Sequence, residues 1–138
     1  MEQKKIRVLL FKPGIDGHWR GIVTIAGALT EAGMEVIFAG FKSVEGMVDS
    51  AIDEDVDVIG YSVHSGAQHA WTRKLNQVLE EKGVRDSFLI IVGGAIPLVD
   101  HESLKKEGAD GVFGPGTNTA DVVSFIRENL PKSSITAD

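Results

Sequence analysis

The stretch Ile6-Arg7-Val8-Leu9-Leu10-Phe11, an amphipathic run over 20–32, and then Glu35-Val36-Ile37-Phe38-Ala39 together decide the fold. The first and third pieces are short, apolar and carry β-branched residues, as strands buried on both faces do. Between them Ile22, Ile25, Ala26 and Leu29 recur at helical spacing and form one apolar stripe. Gly33 follows, where a left-handed helix cap is wanted. A strand, a helix and a strand in that order make a crossover unit with parallel strands.

Outward from this unit the alternation continues. Val56-Asp57-Val58-Ile59-Gly60-Tyr61, Phe88-Leu89-Ile90-Ile91-Val92 and Gly111-Val112-Phe113 read as three more strands. The segments 44–54, 67–82, 101–107 and 118–130 read as helices; Gly83 and Gly108 close two of them. Thr117-Asn118-Thr119 supplies capping side chains for the last helix, and Pro131 stops it. Right-handed crossovers then predict an α/β fold: a doubly wound, five-stranded parallel sheet in the flavodoxin-like order 2-1-3-4-5, with helices on both faces. One domain is expected over 1–130, with a frayed tail over 131–138.

Composition agrees. The chain has 138 residues, 43% of them hydrophobic and 25% charged, the profile of one ordinary globular domain. The absence of cysteine rules out a disulfide framework, a thiolate metal site and a cysteine nucleophile. Fourteen Lys and Arg against twenty Asp and Glu leave a net charge of −6, which argues against nucleic acid or an anionic membrane as partner. Met1-Glu2-Gln3-Lys4-Lys5 lacks the apolar stretch of a leader, and a cytoplasmic location is expected.

In this topology a ligand sits beyond the carboxyl ends of the strands, where the order reverses between strands 1 and 3. The loops to inspect are therefore 12–21 and 61–69. The first reads Lys12-Pro13-Gly14-Ile15-Asp16-Gly17-His18-Trp19-Arg20-Gly21. Asp16 and His18 are two apart, and a carboxylate on one imidazole nitrogen raises the basicity of the other, as a metal-ligating histidine needs. Asp-Gly is equally a common turn pair with a solvated histidine beside it, and the loop alone leaves both readings open. The glycine spacing does not make the dinucleotide fingerprint. Where a phosphorylatable receiver would carry aspartate, at the end of strand 3, stands Tyr61-Ser62.

Taken together, Asp16-x-His18-x-x-Gly21, Ser62 and Gly93-Gly94 resemble the cobalamin-binding signature Asp-x-His-x-x-Gly, Ser-x-Leu, Gly-Gly. Lys12-Pro13-Gly14, Glu54-Asp55-Val56-Asp57-Val58-Ile59-Gly60, Ser65-Gly66-Ala67 and Phe113-Gly114-Pro115-Gly116-Thr117 are similar to the small subunits and C-terminal domains of methylmalonyl-CoA and isobutyryl-CoA type mutases.

The resemblance implies adenosylcobalamin as cofactor. His18 would be the lower axial ligand to cobalt, replacing the cofactor's dimethylbenzimidazole, which then threads into the domain. Asp16 would bond the far imidazole nitrogen and Lys12 would complete that relay. Gly17, Trp19 and Arg20 flank the ligand; Gly21 would open the first helix close to the inserted tail. Ser62 would hydrogen-bond at the buried base, with His64, Ser65 and Gly66 following it. Gly93 and Gly94 would leave room for the nucleotide, and Gly114, Pro115, Gly116 and Thr117 complete the cofactor-binding set. His64 stands where the signature has Leu, and Trp19 where these mutases typically have Asp.

The implied function is the cobalamin-binding small subunit of an acyl-CoA mutase, a radical carbon-skeleton isomerase, inactive alone. The implied partner is a large mutase subunit whose (β/α)₈ barrel binds the acyl-CoA, in a hetero-oligomer. The alternatives are a corrinoid carrier for methyl transfer and a binding or sensory module on the same fold.

The remaining polar residues carry less. His64 and His69 are five apart, wrong for one helical face, and His101 opens a helix, so zinc is not expected. Trp71 reads as partly buried packing and Asp53-Glu54-Asp55 as a solvated helix end. Lys12, His18, Arg20, Arg73 and Lys74 gather toward the ligand edge and Asp53, Glu54, Asp55 and Asp57 toward the opposite one, an asymmetry expected to steer an acidic partner or the cofactor's phosphate and amide-rich rim.

Overall fold

The computed structural model describes residues 5–12, 20–39, 43–63 and 66–131. The elements in chain order are β1 (Arg7–Phe11), α1 (Arg20–Glu31), β2 (Glu35–Phe38), α2 (Val44–Asp53), β3 (Val58–Val63), α3 (Gln68–Glu81), β4 (Leu89–Gly94), α4 (His101–Lys106), β5 (Gly111–Phe113) and α5 (Thr119–Glu128). A 3₁₀ turn, Leu98–Asp100, joins β4 to α4. The sheet is parallel in the order β2-β1-β3-β4-β5, as the alternation of strand and helix predicts.

Period-two alternation sorts each strand's side chains into two cores. Leu9, Phe11, Ile59, Tyr61, Ile90 and Val92 pack against α2 and α3, which contribute Met47, Val48, Leu75 and Leu79. Val8, Leu10, Val58, Leu89 and Ile91 face the other way, onto Ile22 and Leu29 of α1 and Val122 and Ile126 of α5. Each such fully buried aliphatic side chain is worth roughly 1.5–3 kcal/mol over leaving it in water.

Two strands run farther than hydrophobicity shows. β3 reaches Val63 and β4 reaches Gly94, because the ladder continues through Ser62 with Gly93 and Val63 with Gly94. Apolar character ends there, but backbone pairing does not depend on it. The helix ends follow their polar side chains: Ser43 accepts the Gly46 N–H at 3.0 Å to start α2, and Asn118 accepts the Ala120 N–H at 2.9 Å to start α5. α5 ends at Glu128, earlier than Pro131, where Asn129 Nδ2 donates to the Phe125 carbonyl at 2.8 Å.

The amino-terminal edge of the sheet is tied by charge. Buried Asp57 accepts the Arg7 N–H at 3.0 Å, while the Arg7 guanidinium reaches Glu35 at 2.8 Å and Glu54 at 3.0 Å. Arg85 donates to Asn76 Oδ1 at 2.7 Å, the Gly108 carbonyl at 2.8 Å and the Phe88 carbonyl at 3.1 Å. With this edge closed by structural contacts, the carboxyl edge is the one left for a ligand. No helix among the described residues is long and apolar enough to cross a membrane.

Candidate functional site

At the carboxyl edge a cavity of about 500 Å³ opens between the sheet, α1 and α5. It lies beside β1 and β3, the switch point of the strand order. Its walls are mostly apolar: Leu10, Ile22, Ile25, Ile91, Phe113 and Val122. The polar groups are few, Ser62 on β3 and Thr24, Thr117 and Thr119 on the helix side. An apolar volume of this size with a few placed hydroxyls is what a flat organic ligand requires.

Small residues make the space. At Gly21, in the first turn of α1, a Cβ would meet nothing within 4 Å among the described residues, and the glycine lines the cavity. Gly60 shapes the floor, since a Cβ there would come within 3.0 Å of Leu10 Cδ2 and 3.1 Å of Ile91 Cγ1. Gly93, Gly94 and Ala95 form the wall beyond β4, and Gly114, Pro115 and Gly116 the wall beyond β5. Thr117 closes the second wall on itself, its hydroxyl donating to the Gly114 carbonyl at 2.7 Å.

The structure thus brings together Gly21, Ser62, Gly93, Gly94, Gly114, Pro115, Gly116 and Thr117 around one cavity. Ser62 is 7% exposed and sits inside β3, so the sheet rather than a loop sets its position. Gly66 is described but does not line the cavity. Lys12, just beyond β1, is fully buried and also lies off the cavity wall. Asp16, Gly17, His18, Trp19, His64 and Ser65 lie outside the described residues, as does the side chain of Arg20.

Sequence reading missed Thr24, Ile25, Gly60, Ala95, Thr119 and Val122 as wall residues. A signal existed for two of them, because Thr24 and Ile25 stand three and four residues after Gly21 and share its helix face. The expected steering charge is corrected in part. Lys74 pairs with Glu45 at 3.1 Å and Arg73 with Glu107 at 2.9 Å, so both cations are matched by carboxylates.

Two titratable groups near this edge are shifted. Burial pushes the Tyr61 phenol far up, and it stays neutral, hydrogen-bonded to Thr72. His69 is raised by its hydrogen bond to Glu107, Nδ1 to Oε1 at 2.7 Å, with Asp100 adding to the effect. Trp71 packs edge-on against Phe11, ring centroids 6.0 Å apart, as the packing reading expects.

Comparison with known proteins gives the chain its family. The family model of the B12 binding domain matches residues 6–124. The chain is 41% identical over 128 residues to the small subunit of 2-hydroxyisobutanoyl-CoA mutase from Aquincola tertiaricarbonis, covering 92% of this chain and 93% of that one. It is 37% identical over 126 residues to the methylmalonyl-CoA mutase of Cereibacter sphaeroides, covering 91% of this chain but only 18% of that much longer one. Among solved structures, a cobalamin-binding protein from Desulfitobacterium hafniense DCB-2 superposes with a TM-score of 0.75 at 26% identity, over 91% of this chain and 59% of that one.

Proposed function

The chain belongs to the B12-binding domain family, and on that premise we propose that it is the cobalamin-binding small subunit of an acyl-CoA mutase. The observation that carries the proposal is the apolar cavity of about 500 Å³ at the switch point, walled by Gly21, Ser62, Gly93 and Gly114. It fits the nucleotide tail of a cobalamin: a flat bicyclic base would find apolar walls, the Ser62 hydroxyl would donate to or accept from the tail, and the Thr117 hydroxyl would be left to accept.

Adenosylcobalamin, when bound, supplies the carbon-centred radical that such an isomerisation uses. This chain's residues hold and orient. His18 would hold the cobalt, Asp16 would fix the far nitrogen of that imidazole, and Lys12 would complete the relay. Ile22, Ile25 and Val122, which line the cavity, would exclude water from the tail. The acyl-CoA binds elsewhere, on a large subunit proposed to carry a (β/α)₈ barrel and to form a hetero-oligomer with this chain. That the similar proteins include a separate small subunit and a domain making up 18% of a long mutase chain supports this division. The domain span 1–130 and a cytoplasmic location belong to the same proposal.

The test is spectroscopic. The purified chain mixed with hydroxocobalamin is expected to give a visible spectrum in which histidine has replaced the cofactor's own base, and His18→Ala to lose it. No complex, or one indifferent to His18→Ala, overturns the reading. Acyl-CoA isomerisation is expected only when a large subunit is added; methyl transfer without it would assign the chain to carriers instead.

A further inference from the structure

A second cluster of polar groups stands outside the cavity, where the first turn of α3 meets the connection from β4 to α4. Two carboxylates close on one imidazole: Glu107, just past the end of α4, takes His69 Nδ1 at 2.7 Å, and Asp100, just before α4, lies 3.5 Å from His69 Nε2. Gln68 donates its amide to the other Asp100 oxygen at 3.2 Å, and Arg73 holds the other Glu107 oxygen at 2.9 Å. Among the described residues Glu107 and Asp100 are the charged groups that act on the ring, and Gln68 and Arg73 bind those carboxylates on their other oxygens. A short helix of six residues is thereby gripped at both ends from the first two turns of α3.

What the grip holds matters for the cavity. The segment from Ala95 to His101 leaves the cavity wall at Ala95, whose N–H donates to the Val63 carbonyl at 3.1 Å. Its far side leans on the second wall: a Cβ on Gly114 would lie 3.1 Å from the Ile96 carbonyl and 3.4 Å from the His101 ring. One connection, held by α3, therefore abuts both glycine-bearing walls. Ile96 is 1% exposed and anchors it to the core, whereas Leu98 and Val99 are 82% and 86% exposed and contribute no hold.

We infer that His69 in its protonated form is a positioning residue, clamping Asp100 and Glu107 so that the connection keeps both cavity walls in their ligand-ready places. Neutral His69 satisfies one carboxylate at most, because one ring nitrogen then has no proton to donate. The clamp is therefore complete at lower pH and relaxes as His69 deprotonates. The raised proton affinity of the ring is consistent with this, since both carboxylates favour the cation. The consequence for ligand affinity rests on the cobalamin reading; the clamp itself does not.

The experiment has two arms, both on the full chain. Amide hydrogen exchange, corrected for intrinsic rates, is followed from pH 6 to pH 9 in the wild type, His69→Gln and Asp100→Asn. Wild-type protection over 95–104 is expected to fall roughly two- to fivefold across that range, the size of a partly exposed ion pair. In His69→Gln the step disappears; in Asp100→Asn it moves to lower pH; α2 shows no step in any of them. In the second arm hydroxocobalamin affinity is measured over the same range, and the difference between wild type and His69→Gln is expected to follow the exchange step. A pH-independent wild type, or a step that survives in His69→Gln, overturns the inference. So does affinity whose pH profile is the same in both proteins. An intact exchange step with no hydroxocobalamin complex leaves the clamp standing and counts against the cobalamin reading alone.

Discussion

Gly94 turns beneath Val63 with φ at +114°, so close that a Cβ would lie 2.3 Å from the Val63 carbonyl oxygen. That carbonyl also accepts the Ala95 N–H at 3.1 Å, so the contact ends β4 and starts the cavity wall in one step. The glycine here is demanded by the protein's own backbone. Gly94→Ala is expected to lose roughly 3 kcal/mol of stability, from a left-handed backbone and a backbone clash together, read as a lower urea midpoint.

Gly21 behaves in the opposite way. Among the described residues nothing lies within 4 Å of a Cβ placed there and it lies in α1, so alanine improves helix propensity by at most about 0.5–1 kcal/mol. Gly21→Ala is expected to raise the unfolding midpoint while weakening hydroxocobalamin binding, since the added methyl borders cavity space. Equal or tighter binding would remove Gly21 from the ligand wall.

Ser62 tests the cavity itself. Leucine at 62 would place its side chain in existing volume beside Gly93, its partner across the ladder. Ser62→Leu is expected to change stability by less than about 1.5 kcal/mol and to abolish hydroxocobalamin binding, checked by urea unfolding and by the visible spectrum. Retained binding would show that the ligand does not enter between the sheet and α1.

Arg85 serves as the contrasting position, at the edge away from the cavity. Its guanidinium donates to two backbone carbonyls and to Asn76, a fork that an ammonium cannot reproduce. Arg85→Lys is expected to cost about 1–3 kcal/mol and to leave ligand affinity unchanged once folded.

His69 predicts how stability varies with pH. Its folded-state proton affinity is raised above the unfolded value, mainly by Glu107 and then by Asp100. Its contribution is therefore fully present below the ordinary histidine range near 6.5, and is lost as pH rises through the higher folded value. The side chain is 29% exposed, so solvent screens the pair and the loss is expected to be no more than about 1 kcal/mol. Urea unfolding at pH 6 and pH 9 should show it in the wild type and not in His69→Gln.

Much of this molecule was legible as text. Five apolar runs separated by amphipathic ones specified strand count and parallel pairing, because burial on both faces leaves an unbroken apolar signature, and the order 2-1-3-4-5 followed as the natural choice for a doubly wound sheet of five strands. The walls at Ser62, Gly93 and Gly114 were found through a recognised motif. Thr119, Val122 and Ala95 were not, since each reads as an ordinary capping, core or loop residue and becomes a wall only through what stands opposite. The His69 clamp was invisible for the same reason: Glu107 is 38 residues away, and nothing periodic links them.

By itself the sequence determined the elements, their order and the edge at which a ligand would bind, because periodicity, caps and crossover handedness are local or topological properties. Only the tertiary structure decided that Gly21, Ser62 and Gly93 share one cavity of about 500 Å³, and that Asp100 and Glu107 meet on one imidazole. A cavity is the space that packed side chains fail to fill, and a clamp is a distance between separate elements. Both depend on how α1, α3 and α5 settle on the sheet.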